Sequence, residues 1–365
     1  MQRPFLFFCR PGFENDCAAE VQAFANEYNL PGYANTKLND GYVRFYVLDQ
    51  TSEEIFFKEL DLSELIFARQ WFWAKAELTN LDPADRVTPI LEAAGQFGLC
   101  QNLLVEHLDN DSGRELSKFC KKISTPLTIA CEKQGIVQKA KKLKESELQA
   151  ELQLHILFMA NDHCYLGCSL VGKASNLKGG ILRLKSPKDA PSRSSLKLDE
   201  AIQVLMSKKQ SQAIFRLGHT AVDLGAAPGG WTYQLVQRGM QVTAVDNGPM
   251  DKKLMATEHV IHLKENALTW LPQKPVQMLV CDMVEKPSLV AQLMTKWLIQ
   301  AKTEQAIFNL KLPMKKRFQE VSDCIGDMCD QLDEHEINYY WQAKHLYHDR
   351  EEITVYFRRK MPKLN

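Results

Sequence analysis

No stretch of the 365 residues approaches the ~18 consecutive apolar positions that a membrane-spanning helix requires. The opening residues, MQRPFLFFCRPG, hold an apolar run too short for a signal peptide, and Pro11-Gly12 breaks it. A transmembrane helix is thereby excluded, and a cytoplasmic location is expected. Paired cysteines are missing too. The 10 cysteines include no C-x-x-C, which argues against a redox or zinc-ribbon motif and for reduced, mostly buried thiols. Cys164, Cys168, His155 and His163 lie close in sequence, but their spacing matches no usual zinc pattern, so no metal is expected. Nor is there net charge, since 45 Lys and Arg balance 45 Asp and Glu.

What is present begins with ordinary soluble composition, 45% apolar and 25% charged, in a chain long enough for two or three domains. The neutral total hides an uneven distribution. Residues 1–60 hold nine acids and five bases, whereas Lys118–Lys144 holds eight lysines against Glu132 alone. From Lys173 to Lys197 there are seven bases and one acid, Asp189. Two basic blocks in a neutral chain form a local footprint for phosphates, although any single lysine is as well explained as a solvated one.

The remaining chain is organised around Ala221–Leu235, AVDLGAAPGGWTYQL. An apolar run ends in Asp223, Gly225, Pro228, Gly229 and Gly230 make a tight turn, and Trp231–Val236 starts a helix. Strand, glycine turn and helix build the first unit of a doubly wound α/β sheet, whose ligands bind at the carboxyl ends of the strands. A glycine lets the backbone lie directly against a cofactor. A second short strand, Gln241–Val245, ends in Asp246, placed to accept the two hydroxyls of an adenosine ribose. The turn reads G-x-x-P-G-G, not G-x-G-x-x-G, and Pro228 has no N–H for a pyrophosphate. A cofactor with adenosine but no phosphates fits better, which points to S-adenosylmethionine over a nicotinamide dinucleotide.

Ahead of this unit the chain reads as mixed α/β. Phe5–Arg10 is a strand, Asn15–Tyr28 an amphipathic helix with Cys17, Val21, Phe24 and Ala25 on one face, and Gly32–Asn35 and Tyr42–Leu48 are strands turned by Asp40-Gly41. Ser52–Leu60 is helical, and Phe67–Trp73 an aromatic-rich strand whose rings are core before they are base-stacking surfaces. This β-α-β-β-α-β order predicts a ferredoxin-like subdomain over residues 1–60. Next come a helix (Arg86–Gly95), a strand (Asn102–His107), a basic helix (Ser117–Lys133) interrupted at Pro126, the lysine run Lys139–Lys144 and a hairpin, Leu152–Ala160 with Cys164–Leu170. Residues 61–171 resemble the THUMP domains that tether RNA-modifying enzymes to RNA. Residues 172–189 read as a linker, and 190–365 as a Rossmann-like methyltransferase domain.

Ser192–Glu200 reads S-R-x-x-x-K-L-x-E ahead of the glycine turn, and this combination resembles the FtsJ-type RNA ribose 2′-O-methyltransferases. Later strands support the resemblance: Val276–Cys281 ends in Asp282, Ala306–Leu310 ends in Lys311, and Glu351 and Glu352 precede Ile353–Arg358. The resemblance implies a Lys197, Asp282, Lys311, Glu352 catalytic tetrad, with Glu352 preferred to Glu351 because it directly precedes the apolar strand. It implies a cofactor site of Ser194, Ala227, Pro228, Gly229, Gly230, Asp246, Asn266 and Asp282. At Lys264-Glu265-Asn266 relatives usually place Asp where this chain has Asn; an Asn oxygen can still accept from the adenine amine, and Glu265 is the alternative contact. Further motifs, CRPGFENDCAAE, LIFARQWF, FNLKLPMKKR and LYHDREE, extend the resemblance over nearly the whole chain, to bacterial enzymes that methylate the ribose of one cytidine in 23S ribosomal RNA. The RNA, free or in an assembly intermediate, would be the partner of a monomer.

The chemistry agrees. A sulfonium methyl is already activated, so a ribose hydroxyl needs only a base and a fixed line of attack. A lysine, ordinarily at about 10.4, must be lowered to act as that base, and a second ammonium and burial would both lower it. Lys311 is assigned as proton acceptor, held by Asp282, with Lys197 and Glu352 positioning the hydroxyl. Base-amine methylation is disfavoured by the absence of an N/D-P-P-Y/F turn after Asp282. Cytosine C5 methylation is disfavoured because Cys281, the nearby thiol, has no P-C turn. A non-catalytic RNA-binding protein is disfavoured by the intact tetrad and glycine turn.

Overall fold

The computed structural model describes residues 3–138 and 151–360; the lysine run Lys139–Lys144 lies outside the described residues. The chain divides into two compact units, Met1–Ile181 and Leu182–Asn365.

The first unit runs β1 (Phe5–Phe8), α1 (Glu14–Glu27), β2 (Gly32–Thr36), β3 (Tyr42–Val47), α2 (Gln50–Glu59), β4 (Gln70–Leu78), α3 (Val87–Ala94), β5 (Cys100–Glu106), α4 (Asp111–Glu115), α5 (Ser117–Lys133), β6 (Leu152–Ala160) and β7 (His163–Leu170). Its strands form one seven-stranded sheet, ordered β2-β3-β1-β4-β7-β6-β5. The first four have the ferredoxin-like arrangement, with β1 antiparallel to both β3 and β4. The expected division at residue 60 falls inside this sheet, because β4 also pairs with β7. Phe67, Trp71 and Phe72 are fully buried, which makes these rings core residues.

Three local expectations are corrected. The aromatic strand begins at Gln70, not Phe67, because the buried Glu20 carboxylate accepts the backbone N–H groups of Ile66, Phe67 and Ala68 at 2.7–3.0 Å and holds them in a turn. Helix α5 is not interrupted at Pro126, but runs unbroken through it. Part of the expected linker belongs to the first unit. Trp71 Nε1 donates to Lys173 O at 2.7 Å, Gln153 Nε2 donates to Ser175 O at 2.8 Å, and Gly179 N donates to Glu106 Oε1 at 2.7 Å.

The second unit runs α6 (Ser195–Leu205), α7 (Lys208–Ile214), β8 (Thr220–Leu224), α8 (Gly230–Gln237), β9 (Gln241–Val245), α9 (Lys252–Met255), β10 (Val260–Leu263), β11 (Met278–Cys281), α10 (Pro287–Ile299), β12 (Gln305–Lys311), α11 (Arg317–Glu334), β13 (Tyr339–Lys344) and β14 (Glu352–Arg359). The sheet order is β10-β9-β8-β11-β12-β14-β13. Strands β8 to β12 are parallel, and β14 runs antiparallel to both neighbours. Buried runs such as MLVC in β11 suit strands covered on both faces. The strand order reverses between β8 and β11, and a doubly wound sheet opens its ligand crevice at that reversal.

Candidate active site

A cleft of about 350 Å³ lies at this reversal, lined among others by Ala227, Asp246, Asn266, Asp282 and Val284. These residues leave the carboxyl ends of four adjacent strands, which is why residues far apart in sequence converge. Asp246 fastens the cleft floor: its Oδ2 accepts from Ala227 N at 2.9 Å and its Oδ1 from Gly248 N at 2.7 Å. Asn266 Oδ1 accepts from Leu268 N at 3.0 Å, which fixes the side chain. The neighbouring Glu265 lines the cleft as well.

Other expected cofactor residues sit beside the cleft without lining it. Ser194 precedes α6, its Oγ 2.6 Å from Ser192 Oγ. A Cβ on Gly230 would meet Ser194 Oγ at 2.1 Å, so this glycine is required by the packing of α8 against the Ser192–Ser194 turn. Gly229 has φ +114°, and a Cβ there would lie 2.5 Å from Leu254 Cδ2. Both glycines therefore have a reason in the protein's own packing, where the sequence suggested contact with a cofactor. Pro228 joins them at the start of α8, and its carbonyl accepts from Asp251 N at 3.0 Å.

Beneath the cleft, Asp223 is 1% exposed and accepts from Thr232 Oγ1 at 2.6 Å. Burial pushes its carboxyl up to about 7, with Asp282 adding to the rise against the opposing Thr232 bond. Cys281 is buried, and that burial pushes its thiol up to about 12. A thiol so held is no nucleophile near neutral pH.

The four residues expected as a tetrad come together at one edge of the cleft. Lys197 is presented by α6, Asp282 by the turn after β11, Lys311 by the end of β12 and Glu352 by the start of β14. Lys311 Nζ donates to Asp282 Oδ1 at 2.6 Å, and Lys197 Nζ lies 3.3 Å from Asp282 Oδ2. Both ammonium groups also pair with Glu352, Lys197 through Oε1 and Lys311 through Oε2. The result is a closed ring of alternating charge in which each carboxylate bridges both lysines. Glu351 points elsewhere and pairs with Arg317 at 3.1 Å.

The ring reverses one expectation. Burial does lower Lys311, but Asp282 and Glu352, through charge and hydrogen bonds, more than offset it, and Lys311 stands above its ordinary value. In the resting protein it is therefore an ammonium, held rather than primed.

Two participants were not singled out from the sequence. Asn309 Nδ2 donates to Asp282 Oδ1 at 2.9 Å, and Thr354 Oγ1 lies 2.8 Å from Asn309 Oδ1. Asn309 stands two residues before Lys311 on the same strand, hence on the same face. That period-2 relation was available as a signal.

Comparisons with known proteins identify the family of each part of the chain. Residues 1–72 match the RlmM ferredoxin-like domain, residues 85–170 the N-terminal domain of ribosomal RNA large subunit methyltransferase M, and residues 190–340 the FtsJ-like methyltransferase family. The chain is 47% identical over 352 residues to the ribosomal RNA large subunit methyltransferase M of Pseudoalteromonas translucida, covering 96% of each chain. It is 47% identical to the protein of that name from Shewanella frigidimarina, covering 98% of this chain and 97% of the relative. With the Psychromonas ingrahamii protein of that name it shares 45% identity over 97% of its own length. Full-length matches of this kind, on a chain whose charged ring and cleft are intact, leave one assignment: the chain belongs to the ribosomal RNA large subunit methyltransferase M family.

Proposed function

We propose that this protein transfers a methyl group from S-adenosylmethionine to the ribose 2′-hydroxyl of a cytidine in 23S ribosomal RNA. The observation that carries this reading is the Lys197–Asp282–Lys311–Glu352 ring, whose Asp282 also lines the cleft. Bound there, S-adenosylmethionine supplies a methyl already activated by its sulfonium. Asp246 accepts the ribose hydroxyls of that cofactor, and the adenine amine finds an acceptor in Asn266 or Glu265.

The remaining work is done by the chain's own side chains. Lys311 takes the 2′-hydroxyl proton at Nζ, which requires that it first release a proton of its own. A positive charge placed in the cleft beside the ring disfavours the second ammonium and favours that release. Asp282 keeps Nζ in line, while Lys197 and Glu352 hold the hydroxyl. The first unit supplies RNA contact: Lys118, Lys121 and Lys122 are exposed on α5, opposite the buried Cys120, Leu127 and Cys131. The RNA is met free or within an assembly intermediate, in the cytoplasm.

The test is methyl transfer from labelled S-adenosylmethionine to unmodified ribosomal RNA, with the product mapped by nuclease digestion and mass spectrometry. A methyl on a large-subunit cytidine ribose is expected. A methyl on a base would remove the role given to Lys311.

A further inference from the structure

Behind the charged ring, donors and acceptors can be counted. Asp282 faces two ammonium groups and is a carboxylate, so the Asn309 group that meets Asp282 Oδ1 at 2.9 Å is the Nδ2 donor. Asn309 Oδ1 then points at Thr354 Oγ1, 2.8 Å away, and needs a donor from it. Thr354 has a single hydroxyl hydrogen, which this bond consumes. Yet Thr354 Oγ1 also lies 2.9 Å from Asp349 Oδ2 and 3.2 Å from Asp349 Oδ1. That contact is a hydrogen bond only if Asp349 carries the hydrogen. Asn309, Thr354 and Asp349 are all 0% exposed, so bulk solvent does not reach them.

We propose that Asp349, Thr354 and Asn309 form a one-way hydrogen-bond chain that positions Asp282, headed by Asp349 as a neutral carboxylic acid. The surroundings of Asp349 agree. Leu346 N donates to its Oδ2 at 3.1 Å, as to a carbonyl oxygen, which leaves Oδ1, 3.2 Å from Thr354 Oγ1, to carry the hydrogen. The charged groups facing it are Glu352 on β14 and Glu200 and Lys197 on α6; Glu200 itself holds His348 Nδ1 at 2.6 Å. Burial, then the two glutamates, push its carboxyl well above the carboxylate range. The chain is built into the strand pairing, since Asn309 and Thr354 are opposite residues of β12 and β14, as Lys311 and Glu352 are two positions further on.

The consequence for the ring is directional. Asp282 Oδ1 is shared between Asn309 and Lys311, so the amide fixes which lone pair the ammonium meets. Asn309, Thr354 and Asp349 are positioning residues, and this role rests on the function proposed above. Its failure can be told apart from that of the function, because the protonation of Asp349 is read without any reaction.

The experiment uses the full chain with carbon-13-labelled aspartate, the Asp349 carboxyl resonance being assigned by its loss in Asp349→Asn. A protonated shift that stays unchanged from about pH 5 to pH 8 is expected; an ionised shift in that range would overturn the chain. In parallel, Asn309→Ala is expected to lower kcat about 10- to 100-fold, as loss of a hydrogen bond to a charged group does, with S-adenosylhomocysteine binding retained. Asp349→Asn keeps a donor for Thr354 and should recover most of the kcat that Asp349→Ala loses. If Asn and Ala at 349 lose it equally, the carboxyl is needed as an anion and the proposal fails.

Discussion

Lys311 and Glu352 are opposite residues in the antiparallel register of β12 and β14, so their ion pair is set by strand pairing and not by side-chain reach alone. A slip of one residue would turn one of the two away from the ring. Such a pair remains in place before any ligand arrives, and a site that relies on preset geometry benefits from this.

Lys311→Ala is the most direct test of the assigned proton acceptor. Methyl transfer should fall by about 100- to 10,000-fold, the usual range for loss of a general base. S-adenosylhomocysteine binding, followed by calorimetry, should be retained. Substantial residual transfer would mean that another group or water takes the proton.

The pH dependence of the reaction follows from the direction in which Lys311 is held. A base that works unprotonated gives a rate that rises with pH, and Asp282 and Glu352 hold Lys311 above its ordinary value in the free protein. The quantity kcat/KM, which reports the free enzyme, should therefore still climb with pH at about pH 10. The kcat profile should level off at lower pH, because a cationic cofactor bound as proposed would lower Lys311 in the complex. Coincident profiles would show that the loaded cleft does not shift this lysine.

Asp223 should leave a mark on stability instead. Its folded-state value of about 7 lies above that of an unfolded aspartate, so the native state binds the extra proton and stability falls as pH rises between the two. The loss is on the order of 4 kcal/mol from about pH 4 to pH 7 at full burial. Asp223→Asn, which cannot ionise and still accepts from Thr232, should lose less stability over that interval in urea titrations. Parallel curves for the two proteins would mean that Asp223 is ionised when folded.

Gly230→Ala should cost about 1–3 kcal/mol of stability, as overpacking does, because the added Cβ would lie 2.1 Å from Ser194 Oγ and 2.4 Å from Ser192 Oγ. Thermal unfolding measures this directly. A milder effect would show that the Ser192–Ser194 turn yields. Asp246→Ala acts on the cleft itself: it frees the Ala227 and Gly248 amides and should weaken S-adenosylhomocysteine binding. NAD should compete for the cleft in neither protein.

Much of the second unit was legible because its site residues stand at the ends of strong apolar strands. Asp223, Asp246, Asp282 and Lys311 each close such a run, and parallel strands bring their carboxyl ends to one edge. Glu352 could be preferred to Glu351 from its place beside β14, and it is Glu352 that joins the ring. Asn309, Thr354 and Asp349 were not legible as a group, since their contact depends on the register of two strands separated by α11. The packing role of Gly230 was hidden for a similar reason: its neighbour Ser194 belongs to a turn that precedes the whole sheet. The direction of the Lys311 shift depends on two carboxylates reaching one nitrogen, a matter of tenths of an ångström. The single sheet of the first unit was missed because β4 pairs with strands on both sides, one about sixty-five positions before it and one about ninety positions after it.

That shared strand makes the first unit indivisible in a practical sense. A cut near residue 60 would deprive β1 of β4 on one fragment and leave β4 with a bare flank on the other, each offering unpaired amides to any passing strand. The two N-terminal modules are fused through a seam of hydrogen bonds, and a solvent-side change in either is felt by the same sheet.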